Sequence, residues 1–132
     1  MKFMLDTNTC IFMMKQIPEV VRRFRSVQSS GAAISSITLA ELEFGVSKSK
    51  AFEQNQKALI AFSTIVEILP FDIQASAEYG RIRATLEKKG TPIGALDTLI
   101  AAHAKSRGLT LVTNNTRDFN RVDGLTIEDW LV

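Results

Sequence analysis

Of 132 residues, only one is cysteine, one histidine, one tryptophan and one tyrosine. Cys10 has no partner in the chain, so an internal disulfide is excluded and a reducing compartment is favoured. With His103 alone, mechanisms that need paired histidines are unavailable, as are the HExxH arrangement and most zinc sites. No GxxxxGK[ST] or GxGxxG run occurs, so nucleotide binding has no motif behind it. No apolar run approaches the ~18 residues that a membrane helix needs. The opening MKFMLDTNTCIFMMK pairs a lysine with apolar residues, but Asp6 interrupts the run and no small-residue cleavage site follows. These absences predict a cytoplasmic protein with no membrane association. No repeat, linker or low-complexity tract divides the chain, so residues 1–132 are expected to form a single domain.

What is present is a regular alternation of short apolar runs and helical patterns. KFML at 2–5 predicts a buried strand broken by Asp-Thr-Asn, and AAIS at 32–35, VEILP at 66–70 and LTLV at 109–112 predict three more. LTI at 125–127 predicts a short fifth. Helices are expected at about 18–28 with Pro18 in the first turn, at 38–45, at 51–65, at 72–90 behind an Asp72 cap, and from the Pro92–Gly94 turn to Gly108. Short strands alternating with helices imply an α/β fold with a central parallel sheet of 4–5 strands flanked by helices on both faces. Right-handed crossovers bring the C-terminal ends of such strands to one edge, and sites form there where the strand order reverses.

Four acids can reach that edge. Asp6 directly follows the first strand, where it can also cap a short helix. Glu41 follows the second, in a Thr38-x-x-Glu41 spacing that matches a capping box. Asp97 opens a helix and aligns with Ala101 and Ala104, an inward-facing stripe on which a carboxylate needs a partner or a cation. Asp118 follows the fourth strand in LVTNNTRDF. Each alone reads more readily as a cap or turn residue, but four on one edge must hold protons or bind cations. Oxygen donors without His or Cys select Mg²⁺, or Mn²⁺ in its place, over zinc, and such a site suits phosphodiester hydrolysis. If these four are set aside, 16 basic residues face ten acidic ones elsewhere, in clusters such as Arg22–Arg23–Arg25, Lys48–Lys50, Lys88–Lys89 and Lys105–Arg107. An acidic pocket in a basic surface suits a polyanion. His103, inside LIAAHAKS, is expected to be a packed helix residue, and Cys10 a core residue.

With these residues the chain resembles a PIN domain of the VapC toxin type. The likeness runs through MLDTN (4–8), SSITLAELEFG (35–45), IRATLEKKGTPIGALDTLIAAHA (82–104), LVTNNTRDF (111–119) and IEDW (127–130). The order and spacing of these elements, rather than any one of them, carry it. The resemblance implies a three-layer α/β sandwich, a Mg²⁺-dependent site-specific endoribonuclease and a cognate VapB-type antitoxin. It places Asp6, Glu41 and Asp97 on the family's main acidic positions, with Asp6 and Asp97 as metal ligands. Many relatives have Asp where this chain has Asn115, so Asp118 is read as the outer carboxylate and Asn115 as its neutral neighbour. Thr7, Asn8, Ser36 and Thr113 are expected to orient carboxylates or water. The resemblance further implies a structured RNA target, here a tRNA anticodon loop cut to leave a 3′-hydroxyl and a 5′-phosphate. It implies contact with operator DNA only through the antitoxin, and a homodimer is expected from the apolar faces of the long helices.

Other readings fit less well. A haloacid-dehalogenase-type phosphatase needs a second Asp two residues after the first, where this chain has Asn8. A response-regulator receiver needs an acidic pair after the first strand and a lysine after the last. A non-catalytic RNA- or protein-binding module on the same fold is the remaining alternative.

Overall fold

The computed structural model describes all 132 residues. Five strands, β1 (Phe3–Leu5), β2 (Ala32–Ser35), β3 (Glu67–Leu69), β4 (Thr110–Val112) and β5 (Ile127–Glu128), pair in parallel in the order β3-β2-β1-β4-β5. Every residue of β1 and β2 is buried, which is why both read as unbroken apolar runs. Side chains alternate between the two faces. Phe3, Leu5 and Ile34 join one core cluster, while Met4, Ala33 and Leu111 join the other.

The helices divide accordingly. α1 (Thr7–Met14), α2 (Pro18–Ser26), α3 (Ser36–Ser47) and α4 (Phe52–Ser63) supply Met13, Val20, Leu42 and Leu59 to the first cluster. α5 (Ile73–Lys88), α6 (Ala95–Ser106) and the single turn α7 (Thr116–Phe119) supply Ile82, Ile100 and Phe119 to the second. The result is the three-layer sandwich that the sequence predicts. The C-terminal segment is tied down by Trp130, which is buried edge-on against Phe3 at 5.6 Å and donates its indole N–H to Glu128.

Several elements differ from expectation. TNTCIFMM forms a helix, α1, which the sequence left unassigned except as a possible cap site for Asp6. α3 begins at Ser36, with Ser35 as its cap through an Ile37 N–H bond of 3.1 Å. The Thr38–Glu41 capping box therefore does not form, because Thr38 already lies inside the helix and is fully buried. Asp72 caps α5 as expected, accepting from Ala75 N. The fifth strand lies at Ile127–Glu128, starting two residues later than expected.

The chain runs outward from β1 through β2 to β3, then returns to the opposite side of β1 for β4 and β5. The order reverses between β1 and β4, so the crevice beyond their C-terminal ends is where a site belongs.

Candidate active site

Asp6 sits at that reversal. Its backbone N–H bonds Val112 O at 3.0 Å, continuing the β1–β4 pairing, and its carboxylate Oδ1 accepts from Thr9 N at 2.9 Å, capping α1. Thr9 in turn donates its hydroxyl to Val112 O at 3.1 Å, which fixes the start of α1 against β4. Asp6 is only 4% exposed. Burial raises its pKa, opposed by hydrogen bonds from the Thr113 side chain and Thr9, and the charge of Asp129 adds to the upward push.

The other three acids come from separate elements. Glu41 projects from α3 and accepts the Thr7 hydroxyl at Oε1, 2.6 Å away. Asp97 lies in the first turn of α6, where a carboxylate is favoured by the helix dipole. Its stripe does face inward, since Ala101 and Ala104 are completely buried. Asp118 lies in α7. The Asn115 amide joins these last two: Nδ2 is 3.2 Å from Asp118 Oδ2 and 3.5 Å from Asp97 Oδ2. Arg121 approaches Asp118 at 3.9 Å.

Asp97 registers the whole group. Burial raises its pKa first, and then the charges of Asp6, Glu41 and Asp118 raise it further, while Asn115 opposes them. Four carboxylates thus share one electrostatic field at the strand reversal. That arrangement, on this sheet order, is the one the sequence motifs anticipate. Residues 3–125 match the PIN domain.

The chain belongs to the PIN-domain family.

Full-length relatives agree. The tRNA(fMet)-specific endonuclease VapC of Salmonella typhimurium is 52% identical over 130 residues, 98% of each chain. Among solved structures, VapBC2 from Rickettsia felis bound to a DNA fragment from its promoter superposes with a TM-score of 0.94 at 43% identity, covering 98% of this chain and 99% of that one. DNA-bound VapBC from Salmonella typhimurium also gives 0.94, at 51% identity and 98% coverage of both.

The supporting residues of this PIN domain divide. Thr7 holds Glu41, as expected, and Thr113, whose side chain lowers the Asp6 pKa, accepts Asn115 N at 2.9 Å. Asn8 is exposed and makes no side-chain bond to the acids, and Ser36 instead accepts Phe71 N at 3.0 Å, tying down the loop after β3. Neither orients a carboxylate. Thr9 and Asp129 were not anticipated. The only sequence signal for Asp129 was its place in IEDW, directly after the last strand. His103 is fully buried, with Nδ1 2.7 Å from Ser35 Oγ, as befits a packed residue, and Cys10 is buried too.

No three acidic, histidine or cysteine side chains close around one point tightly enough to encage an ion. The donor set nevertheless fits Mg²⁺, which commonly takes only one or two carboxylates and keeps several waters. Asp6 and Asp97 are both pushed toward the protonated form, and the Asp6 charge acts on Asp97, so a cation between them would relieve both.

Proposed function

We propose that this PIN domain is the toxin of a type II toxin–antitoxin pair: a Mg²⁺-dependent, site-specific endoribonuclease that cuts a tRNA anticodon loop and so blocks translation. The observation that carries the reading is the gathering of acids at the β1–β4 reversal: Asp6 capping α1, Glu41 held by Thr7, and Asp97 and Asp118 joined through Asn115. A module that only bound RNA would gain nothing from four carboxylates facing a polyanion without a cation between them.

Asp6 and Asp97 would hold the metal, Mg²⁺ with Mn²⁺ able to replace it. When bound, the metal supplies an activated water and neutralises charge on the scissile phosphate. The chain's own residues do the positioning. Thr7 fixes the Glu41 carboxylate, so that it can accept a proton from the attacking water. Asn115 donates to both Asp97 and Asp118 without adding charge, and Asp118 forms the outer edge of the site. Because water attacks rather than the ribose 2′-hydroxyl, the products carry a 3′-hydroxyl and a 5′-phosphate.

The tRNA target is supported by the name of the Salmonella relative. A cognate VapB-type antitoxin, and a complex with it that binds operator DNA, are supported by the DNA-bound VapBC structures; the DNA contacts are expected to come from the antitoxin. Exposed Phe44, Ile60 and Ile73 supply apolar surface for a homodimer. No helix is long and apolar enough to cross a membrane, in keeping with a cytoplasmic site of action. The test is to express the wild type and Asp97→Asn in cells and map RNA ends across all tRNAs. One new end in an anticodon loop, present only with the wild type, is the expected result. New ends confined to ribosomal or messenger RNA would remove the tRNA assignment.

A further inference from the structure

Next to the carboxylates, α1, α3 and α4 enclose a groove of about 270 Å³. Leu42 and Val46 of α3 are buried and form its floor, and Ile11 and Met14 of α1 form a wall. The rim is polar, with Lys15 of the α1–α2 turn, Asn55 of α4 and Glu41 itself. Glu41 therefore faces two ways. It bonds Thr7 and acts on Asp97, and the same side chain lines the groove. Through Glu41 the groove opens beside the carboxylates.

We propose that the groove is a nucleobase subsite, receiving one unpaired base of the RNA next to the cut. This rests on the ribonuclease reading above. Single-stranded RNA is read by splaying a base out, packing its faces between apolar side chains and hydrogen bonding its edge. The floor and wall supply the packing, and the Met14 thioether suits an aromatic ring. The rim supplies the edge contacts. Asn55 Nδ2 donates to Ser49 Oγ at 2.6 Å, which leaves its carbonyl oxygen to accept. Glu41 accepts only, and Lys15 only donates. Two acceptors beside one donor favour a base carrying an exocyclic amino group, adenine, guanine or cytosine, over uracil. The Lys15 ammonium also attracts the phosphate of that nucleotide.

Gly45 is the second observation. It lies inside α3, where glycine is less favourable than alanine, and a Cβ built on it meets nothing within 4 Å. Gly45 also lines the groove, so a larger side chain there would narrow it.

The experiment uses full-length toxin freed of antitoxin, and the RNA stem-loop that it cuts, with single abasic nucleotides placed in turn on each side of the cut. With the wild type, one abasic position raises KM about tenfold with little change in kcat, the mark of lost binding. Gly45→Leu, which fills the groove away from the carboxylates, raises KM for the intact RNA to a similar degree, and the abasic change then adds nothing. Thermal melting checks that the variant is folded. Gly45→Ala gives a smaller KM rise and serves if the leucine variant does not fold. An abasic effect undiminished in the filled variant overturns the subsite. So does a filled variant that loses affinity for the antitoxin alone, since the groove would then belong to a protein partner. If the wild type cuts no RNA, the ribonuclease reading fails first. The groove is then judged by nuclear magnetic resonance titration of the isotope-labelled protein with AMP, GMP, CMP and UMP. Shifts at Gly45 and Asn55 that are weakest with UMP support a base subsite, and their absence overturns it.

Discussion

The Thr7 hydroxyl donates to the Glu41 carboxylate across 2.6 Å, tying the first turn of α1 to the middle of α3. The two residues are 34 apart in sequence, and the bond sets where one oxygen of Glu41 lies. Thr7→Val keeps the shape and removes the donor. Cleavage is expected to fall about tenfold in kcat/KM, with stability lowered by about 1 kcal/mol at most. Thr7→Ser should recover most of the rate. Steady-state cleavage assays beside thermal melts check this, and a full-rate Thr7→Val would show that Glu41 needs no such restraint.

Asp97 is destabilised as a carboxylate by burial and by three neighbouring charges. A raised folded pKa means that the native state binds the extra proton more readily than the unfolded chain does. Its stabilising effect is complete below the unfolded pKa of 3.8 and is lost as pH rises through the folded value. Asp97→Asn should therefore melt higher than the metal-free wild type at neutral pH, and the gap should close as pH falls toward that value. Cleavage should vanish. Melting curves in EDTA across pH measure the first effect.

Asn115 places a neutral amide between Asp97 and Asp118. Asn115→Asp would replace a donor to both with another negative charge. The variant is expected to melt lower than the wild type in EDTA and to gain more from added Mg²⁺ or Mn²⁺. A calorimetric titration with Mn²⁺ should show tighter binding. Equal metal affinity in the two proteins would mean that Asn115 lies outside the cation's reach.

His103 is buried, and burial lowers its pKa, with the Asp72 charge opposing and Arg107 assisting. Here the unfolded chain takes up the proton first. Stability is complete above 6.5 and declines as pH falls from there toward the depressed folded value. His103→Gln should flatten the melting temperature across that window while leaving cleavage measurable, because the ring packs against Ser35 and Phe71 and touches none of the four acids.

The sequence discloses the sheet better than the helices around it. β1, β2 and β4 are short, mostly buried and mostly apolar, so each stands out between polar turns. α1 was illegible for the opposite reason. TNTCIFMM buries Thr9, Cys10 and Met13, with Ile11, Phe12 and Met14 partly covered, so it has no polar face to give a helical period. At α3 the Thr38–Glu41 spacing suggested a cap, but the Ser35 hydroxyl takes that role three residues earlier, and Glu41 is free to turn toward Thr7. Asp6 and Asp97 could be read from their places beside a strand and on an inward stripe. The bridging by Asn115, the tie from Thr9 to Val112 and the influence of Asp129 on Asp6 depend on side chains brought together only by folding.

The central claim, metal-assisted cleavage by the carboxylates at the β1–β4 reversal, is tested most directly by the ends of the cut RNA. Purified toxin would be incubated with total tRNA in Mg²⁺, in Mn²⁺ and in EDTA, beside Asp6→Asn and Asp97→Asn, and the fragment termini determined chemically. The predicted result is a single cut in an anticodon loop bearing a 3′-hydroxyl and a 5′-phosphate, absent in EDTA and in both variants. A 2′,3′-cyclic phosphate, or cleavage undiminished in EDTA or in Asp97→Asn, would contradict it.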